Sequence, residues 1–331
     1  MGMEHDTERV TLARLPSGVE IATTVHTYEG SDDGPTVYVQ AAQHGREVNG
    51  TEVLRRVHDR LTTGDADSVG ADSELVGRIV AVPVADPLTF DRVSYTTPEQ
   101  LDSVNPNMNR VWPGDSEGTL HERMAARLWE YAGEADAIVD LHTGSPDMLT
   151  HVVFMEGHEE SRAMAEAFGT DLLLSEEAGD DADEEWAARD FGGKLRVAAN
   201  QEGIPTITPE LAFNKQIVES AVETGVVGTL NVFRHLGLLD EPVEPNGDPT
   251  LARNHLGRVT ADDSGLFRAD PDHAVGDEVE EGEHLGTLYD PTTFEVLQEA
   301  RADRDGILYS LALESTVAAG DSLLNVAWQR E

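Results

Sequence analysis

Apolar positions along the chain fall into short runs separated by polar, turn-rich segments. "PTVYVQAA" (35–42) and "GRIVAVPVA" (77–85) are almost continuously apolar over a strand's length, the signature of strands buried on both faces of a sheet. Between them, "EVNGTEVLRRVHDRL" (47–61) places Val53, Leu54, Val57 and Leu61 at helical spacing. A long loop follows, then a helix around "TLHERMAARLWEYA" (119–132) and a third strand, "DAIVDLHTG" (136–144). Helices near 160–169 and 192–203 precede a fourth strand, "IPTITPELA" (204–212), and a helix over about 217–237 closes this part. The alternation predicts an α/β fold: a mixed, mostly parallel sheet flanked by helices, with its reactive groups at the C-terminal ends of strands.

The texture changes at "EPVEPNGDPT" (241–250), whose Pro, Gly and acidic residues read as a linker. Beyond it, short β-type runs alternate with Gly-Asp turns, in "AVGDEVEEGEHLGTLYD" (274–290), "GILYSLALEST" (306–316) and "VAAGDSLLNVAW" (317–328). The expected organisation is a catalytic α/β domain over 1–240, a linker over 241–250, and a small all-β barrel or sandwich over 251–331. The two V-x-x-G-D/E-like turns form a weak internal echo within that second domain.

Charge changes the picture more than size does. The 331 residues carry 64 Asp plus Glu against 23 Lys plus Arg, a formal net charge of −41. Only Lys194 and Lys215 are lysines; the other 21 cations are arginines. Such a balance excludes nucleic acid and anionic membrane surfaces as partners. It resembles the composition of halophile proteins, whose self-repulsion is screened at molar salt, where the Debye length is about 3 Å. The run "SEEAGDDADEEW" (175–186) is then a solvated coat rather than a site. With no cysteine there is no disulfide framework and no thiolate chemistry. "MGMEHDTERV" has neither the basic start nor the apolar core of a secretory leader, and the longest apolar runs are far too short to span a bilayer. A cytoplasmic location is the expectation.

Four chemically capable residues fall just after predicted strands. His44 and Glu47 follow the strand ending at Ala42, His142 ends "AIVDLH", and Glu210 sits in "TITPEL". Two histidines and a glutamate form a familiar catalytic zinc set that leaves a fourth position for water or substrate. Gly45 gives the His-x-x-Glu turn the flexibility to bring both side chains to one ion, and Glu210 is a spare carboxylate able to accept a proton. Taken alone, a His-x-x-Glu is better read as a helix start, with Glu47 charging the first turn and His44 hydrogen-bonding the backbone. The joint pattern of four strand-end residues favours the metal. Asp140, two residues before His142, suits a supporting acceptor, and His151 lies closest of the other histidines.

"QHGREVNG" (43–50), "NMNRVWPG" (107–114), "DLHTGS" (140–145) and "TPELAFN" (208–214) also occur in the order and spacing of the succinylglutamate desuccinylase/aspartoacylase family. The chain resembles that family over roughly 35–215, and its C-terminal β segment resembles the barrel-type domain that follows. The resemblance implies a zinc carboxypeptidase-like fold, one Zn2+ per chain held by His44, Glu47 and His142, and Glu210 as general base. It also implies that Asn109 and Arg110 hold a substrate carboxylate, which suits the planar fork of arginine. One departure stands out: where the family carries a further arginine upstream, "DRVSYTTPEQLDSVNPNMNR" has Tyr95 or Asp102, leaving Arg92 as the nearby substitute. The implied activity is removal of an acyl group from a small N-acylated amino acid or related amine, with a metallocarboxypeptidase acting on short peptides as the alternative. Within the first, the halophile-type composition favours an acetyl-diaminobutyrate deacetylase of compatible-solute metabolism. The expected partner is a small, carboxylate-bearing substrate, and a homo-oligomer stays open. A biotinyl- or lipoyl-carrier reading of the C-terminal turns fails, because no lysine follows Lys215.

Overall fold

The computed structural model describes residues 3–63, 75–144, 147–177, 191–244, 247–253 and 258–329; most of the acidic run at 175–186 lies outside them. Among the described residues, nine strands form the N-terminal part: β1 (Glu4–Arg14), β2 (Glu20–Glu29), β3 (Asp32–Ala41), β4 (Val76–Val82), β5 (Ala137–Gly144), β6 (Asp147–Met148), β7 (His151–Met155), β8 (Leu172–Glu176) and β9 (Thr206–Phe213). Their helices are α1 (Asn49–Thr62), α2 (Pro87–Arg92), α3 (Leu120–Ala132), α4 (Glu159–Phe168), α5 (Leu195–Gln201) and α6 (Glu219–His235). The large sheet begins β1-β2-β4-β3-β5-β9-β7-β8. Its centre, β4-β3-β5-β9, is parallel; β2 joins β4 and β7 joins β9 in antiparallel sense. The sheet is therefore mixed, with helices on both faces.

The continuous apolar strands are explained by that double cover. Successive side chains of β3 alternate faces. Val37, Val39 and Ala41 pack with Val53, Leu54 and Val57 of α1 and Val226, Leu230 and Phe233 of α6. Tyr38, between them, packs on the opposite side with Met124 and Leu128 of α3 and Leu195 of α5. Each fully buried aliphatic side chain contributes about 1.5–3 kcal/mol, so neither face can turn polar cheaply. None of the described helices is long and apolar enough to cross a membrane.

C-terminal strands β10 (Thr250–Arg253), β11 (Val259–Thr260), β12 (Gly265–Ala269), β13 (Glu278–Val279), β14 (His284–Tyr289), β15 (Val296–Arg301), β16 (Gly306–Leu311), β17 (Thr316–Val317) and β18 (Ser322–Gln329) follow. β10 lies parallel to β8, and β18, β16 and β13 continue the large sheet from it. The order β15-β14-β12-β17 makes a separate antiparallel sheet. Phe267, Leu285, Leu288, Leu308, Leu324 and Val326 join both into one β core. The sequence echo has a structural counterpart. In each turn a left-handed glycine, Gly276 or Gly320, precedes an aspartate whose carboxylate accepts from the backbone N–H three residues back, at 2.8 Å.

The long connection from α2 to α3 is fixed by one imidazole. His121, fully buried in the first turn of α3, donates from Nδ1 to the Asn105 carbonyl (2.6 Å) and from Nε2 to Asp86 (3.2 Å). Its backbone N–H donates to Asp102 (3.0 Å), whose carboxylate also holds the Val104 and Asn105 amides. Burial alone would lower the His121 pKa, but Asp86, the Asn105 carbonyl and Asp102 outweigh it and raise the pKa above the ordinary imidazole value. A raised folded-state pKa gives stability that is complete below the unfolded value of about 6.5 and lost as pH rises through the folded one. His121→Asn is expected to lower stability by roughly 3–5 kcal/mol at pH 6 and by clearly less at pH 9. Denaturant unfolding at the two pH values checks this, and equal losses would show that His121 is not held as the imidazolium.

Candidate active site

His44 and Glu47 occupy the turn that leaves β3 and enters α1, where a hydrogen bond from the Glu47 amide to the His44 carbonyl (3.0 Å) closes a tight bend. Gly45 makes the bend fit: a Cβ there would overlap the backbone of Thr89, whose hydroxyl accepts from the Gly45 amide. Asn49 then locks the start of α1. Its side-chain amide donates to the Leu211 carbonyl at the end of β9 (2.8 Å), and its oxygen accepts from Val218 before α6 (2.9 Å). His142 lies on β5 beside these residues, in direct register with Glu210 on β9.

The structure brings His44, Glu47 and His142 together in a buried group whose ligand atoms all lie within 4.8 Å of one another. His44 donates from Nδ1 to the Tyr95 carbonyl (2.9 Å), which leaves Nε2 for the shared space. His142 holds Asp140 through Nε2 (3.0 Å) and presents Nδ1 to Glu47 (3.0 Å). Glu47 also accepts the Thr143 amide (3.1 Å). Behind Asp140 a buried chain continues, from Gln40 Nε2 to Asp140 (2.9 Å) and from the Tyr38 hydroxyl to Gln40 (2.9 Å). Each imidazole thus has one nitrogen oriented by an oxygen acceptor and the other turned inward, the arrangement that serves metal-ligating histidines. Two imidazoles and a carboxylate fit a first-row divalent ion.

Electrostatics follow from burial. It pushes the His44 pKa down to about 4. It opposes ionisation of Glu47 as well, but His44 and His142 prevail and keep that carboxyl below its ordinary value. Burial would lower His142 too, yet Asp140 and Glu47 raise it well above the normal range. Glu210 is pushed up to about 7, chiefly by burial.

These groups line a cavity of about 380 Å³. Asn109 and Arg110 line it as well, in a 3-10 turn (Met108–Arg110) tied to α5 by the Leu195 amide donating to Asn109 Oδ1 (3.3 Å). Arg110 donates to the Asn109 carbonyl (2.6 Å) and stacks over Phe191, 4.7 Å from its ring centre. Arg92 is placed differently. It ends α2, is exposed, and is not among the residues lining the cavity. The cations that do line it besides Arg110 are Arg46, Lys194, Arg196 and Arg258. Burial, and then Arg196, lower the Lys194 pKa to about 7; Arg196 is bonded to buried Glu176.

Sequence reasoning missed Arg46, Lys194 and Arg196, along with Tyr309 and Asn325, which reach the cavity from β16 and β18. A signal existed for Lys194, one of two lysines in the chain, and Arg46 lies inside the quoted "QHGREVNG". His151, on β7 opposite Glu210, also lines the cavity; burial lowers its pKa to about 4.

The fold is that of known succinylglutamate desuccinylase-type structures. A succinylglutamate desuccinylase from a Silicibacter species superposes with a TM-score of 0.81 at 21% identity, over 99% of this chain and 95% of the other. A succinylglutamate desuccinylase/aspartoacylase from Rhodobacter sphaeroides gives 0.80 at 24% identity, over 100% and 96%. The product-bound ectoine utilization protein EutE (DoeB) from Ruegeria pomeroyi gives 0.80 at 22%, over 98% and 95%. The model of the succinylglutamate desuccinylase/aspartoacylase catalytic domain matches residues 33–236, and the chain belongs to that family. The chain is also similar, at 26% identity over 98% of its length and 92% of the relative's, to the N-alpha-acetyl-L-2,4-diaminobutyric acid deacetylase of Halomonas elongata.

One close approach governs where Arg110 sits. A Cβ on Gly193 would overlap the Arg110 backbone carbonyl, and the Gly193 carbonyl accepts the Trp112 amide (2.9 Å). Gly193→Ala is expected to force the 108–112 turn away from α5 and cost about 1–3 kcal/mol. An unchanged denaturation midpoint would show that the turn yields freely.

Proposed function

We propose that this protein is a zinc-dependent amidohydrolase. It removes the acyl group from a small N-acylated amino acid or related amine by attack of water, with one Zn2+ held by His44, Glu47 and His142. The observation that carries this reading is the convergence of those three buried ligands beside Glu210, in the register of adjacent strands. Family membership supports it. The named activity of the Halomonas relative makes N-acetyl-L-2,4-diaminobutyrate the first substrate to test.

A bound zinc ion would supply Lewis acidity, lowering the pKa of water from 15.7 toward about 7 and polarising a carbonyl. Glu210 takes the proton of the attacking water and later delivers one to the leaving amine, a role typically worth roughly 10²–10⁴-fold. Arg110 grips the substrate carboxylate with its planar fork, while Asn109 fixes the turn that presents it. Arg46, Lys194 and Arg196 supply the positive side chains for which the sequence offered Arg92, and they stabilise charge developing on the carbonyl oxygen. Asp140 orients His142, and the Tyr95 carbonyl orients His44, so both rings would be held ready to bind the ion.

Glu210→Gln is expected to keep zinc and fold while lowering turnover by about 10²–10⁴-fold; near-normal rates would reject it as the base. His142→Ala should reduce bound zinc in elemental analysis, and an unchanged content would remove His142 from the ligand set. Assays in molar salt should show hydrolysis of N-acetyl-L-2,4-diaminobutyrate or other N-acetyl and N-succinyl amino acids. Cleavage of short peptides alone would replace this reading with a carboxypeptidase.

A further inference from the structure

Among the described residues, one other group of metal-ligating side chains converges, well away from the cavity. His5 on β1, His26 on β2 and His58 on α1 each offer a ring nitrogen within 4.8 Å of the others'. The placement follows from register. Thr7 pairs with His26 and Tyr28 pairs with His5, so both histidines stand on the same face of the β1–β2 ladder, one diagonal step apart. α1 lies over that face and lowers His58 onto it. His58 is nine residues into the helix, about 14 Å along its axis from the end that follows Glu47.

The contacts within the group are of an unusual kind for this chain. His5 Nε2 and His26 Nδ1 are 3.2 Å apart, and the Tyr28 hydroxyl bonds His58 Nδ1 at 2.8 Å. The ring of His58 lies 5.0 Å from that of His5 and 5.9 Å from that of His26, centre to centre. In a protein with 64 acidic residues, these imidazoles face one another instead of being tied to carboxylates. All three are half-buried, which shields the nitrogens yet leaves an entry path. Zinc–nitrogen bonds of about 2.0–2.1 Å in tetrahedral geometry place two ligand nitrogens about 3.3 Å apart, close to the His5–His26 separation already present. Burial and the neighbouring imidazole charges lower the pKa of His5 and His26, which favours the neutral form a metal requires. Nearby Asp6 and Asp59 add a negative field that favours a cation.

We propose that His5, His26 and His58 form a second site for a divalent first-row transition metal of the zinc type. An ion there clamps the β1–β2 hairpin, at the edge of the large sheet, to α1. Three imidazoles with an open fourth position for water suit Zn2+, and also Cu2+ or Ni2+. The site does not depend on the proposed amidohydrolase chemistry.

The test is zinc stoichiometry on the folded full-length chain, stripped of metal, loaded with excess Zn2+ and gel-filtered in molar KCl before elemental analysis. Wild type should carry two ions per chain, His26→Ala one, His142→Ala one, and the His26→Ala/His142→Ala double variant none. Zn2+ should raise the thermal midpoint of His142→Ala and leave that of the double variant unmoved, because an ion bound only by the folded state stabilises it by mass action. Should His26→Ala fail to fold, His5→Ala on the outermost strand carries the same expectation. Wild-type zinc content in a folded His26→Ala or His5→Ala chain would overturn the second site. A loss confined to His26→Ala, with His142→Ala unchanged, would instead sink the cavity assignment and uphold this one.

Discussion

The site depends on how two buried carboxylates are neutralised. Asp140 and Glu47 flank His142, each 3.0 Å from one of its ring nitrogens, and all three are almost fully buried. An isolated charge in such a place costs several kcal/mol, recovered only through close pairing and hydrogen bonds. Without an ion His142 pairs with both, which drives its pKa well above the ordinary value against the pull of burial; a bound divalent cation would take over that charge and leave the ring neutral as a ligand. A cluster so arranged holds more negative charge than its own residues comfortably balance, and a divalent ion is the natural complement. The Tyr38–Gln40–Asp140 chain behind it fixes the acceptor rather than letting it relax.

The surrounding architecture serves that constraint. Parallel β3, β5 and β9 lie side by side, so residues at their C-terminal ends are neighbours despite lying far apart in the chain, as Gln40 and Asp140 or His142 and Glu210 do. Asn49 ties the turn after β3 to the end of β9, and Gly45 admits the Thr89 backbone against it. His121 anchors the connection that carries Asn109 and Arg110. The C-terminal strands extend the same sheet through the β8–β10 pairing, and this continuity is how Tyr309 and Asn325 come to line the cavity.

How much of this was legible depended on whether a residue's surroundings were local. β3, β4, β5 and β9 announce themselves because cover on both faces makes them continuously apolar. The edge strand β1, with only Val10, Leu12 and Ala13 buried, carries no such signal, and neither it nor β2 was anticipated. β7 and β8 are apolar but only five residues each, too short to separate from the helices around them. His44, Glu47, His142 and Glu210 stood out because strand ends are where such folds keep their chemistry. Lys194, Arg196 and Tyr309 did not, since tertiary packing alone delivers α5 and β16 to the cavity. Arg92 shows the converse: the resemblance called for an arginine near Tyr95 and Asp102 and left Arg92 as the nearby substitute, but the last turn of α2 leaves its side chain exposed.

A net charge of −41 and a cavity lined by Arg46, Arg110, Lys194, Arg196 and Arg258 pose one electrostatic problem at two ranges. The acidic coat acts over long distances and would turn away a net-anionic N-acyl amino acid, though not a net-neutral one that keeps a free ammonium. The cavity cations act within a few ångströms, where buried or partly buried pairs are screened far less than exposed ones. Raising salt from 0.1 M to 1 M shortens the Debye length from about 10 Å to about 3 Å. That erases most of the repulsion at the surface while leaving the short contacts inside the cavity largely intact. Raising salt is therefore expected to make a cationic cavity more accessible to anions within an acidic protein.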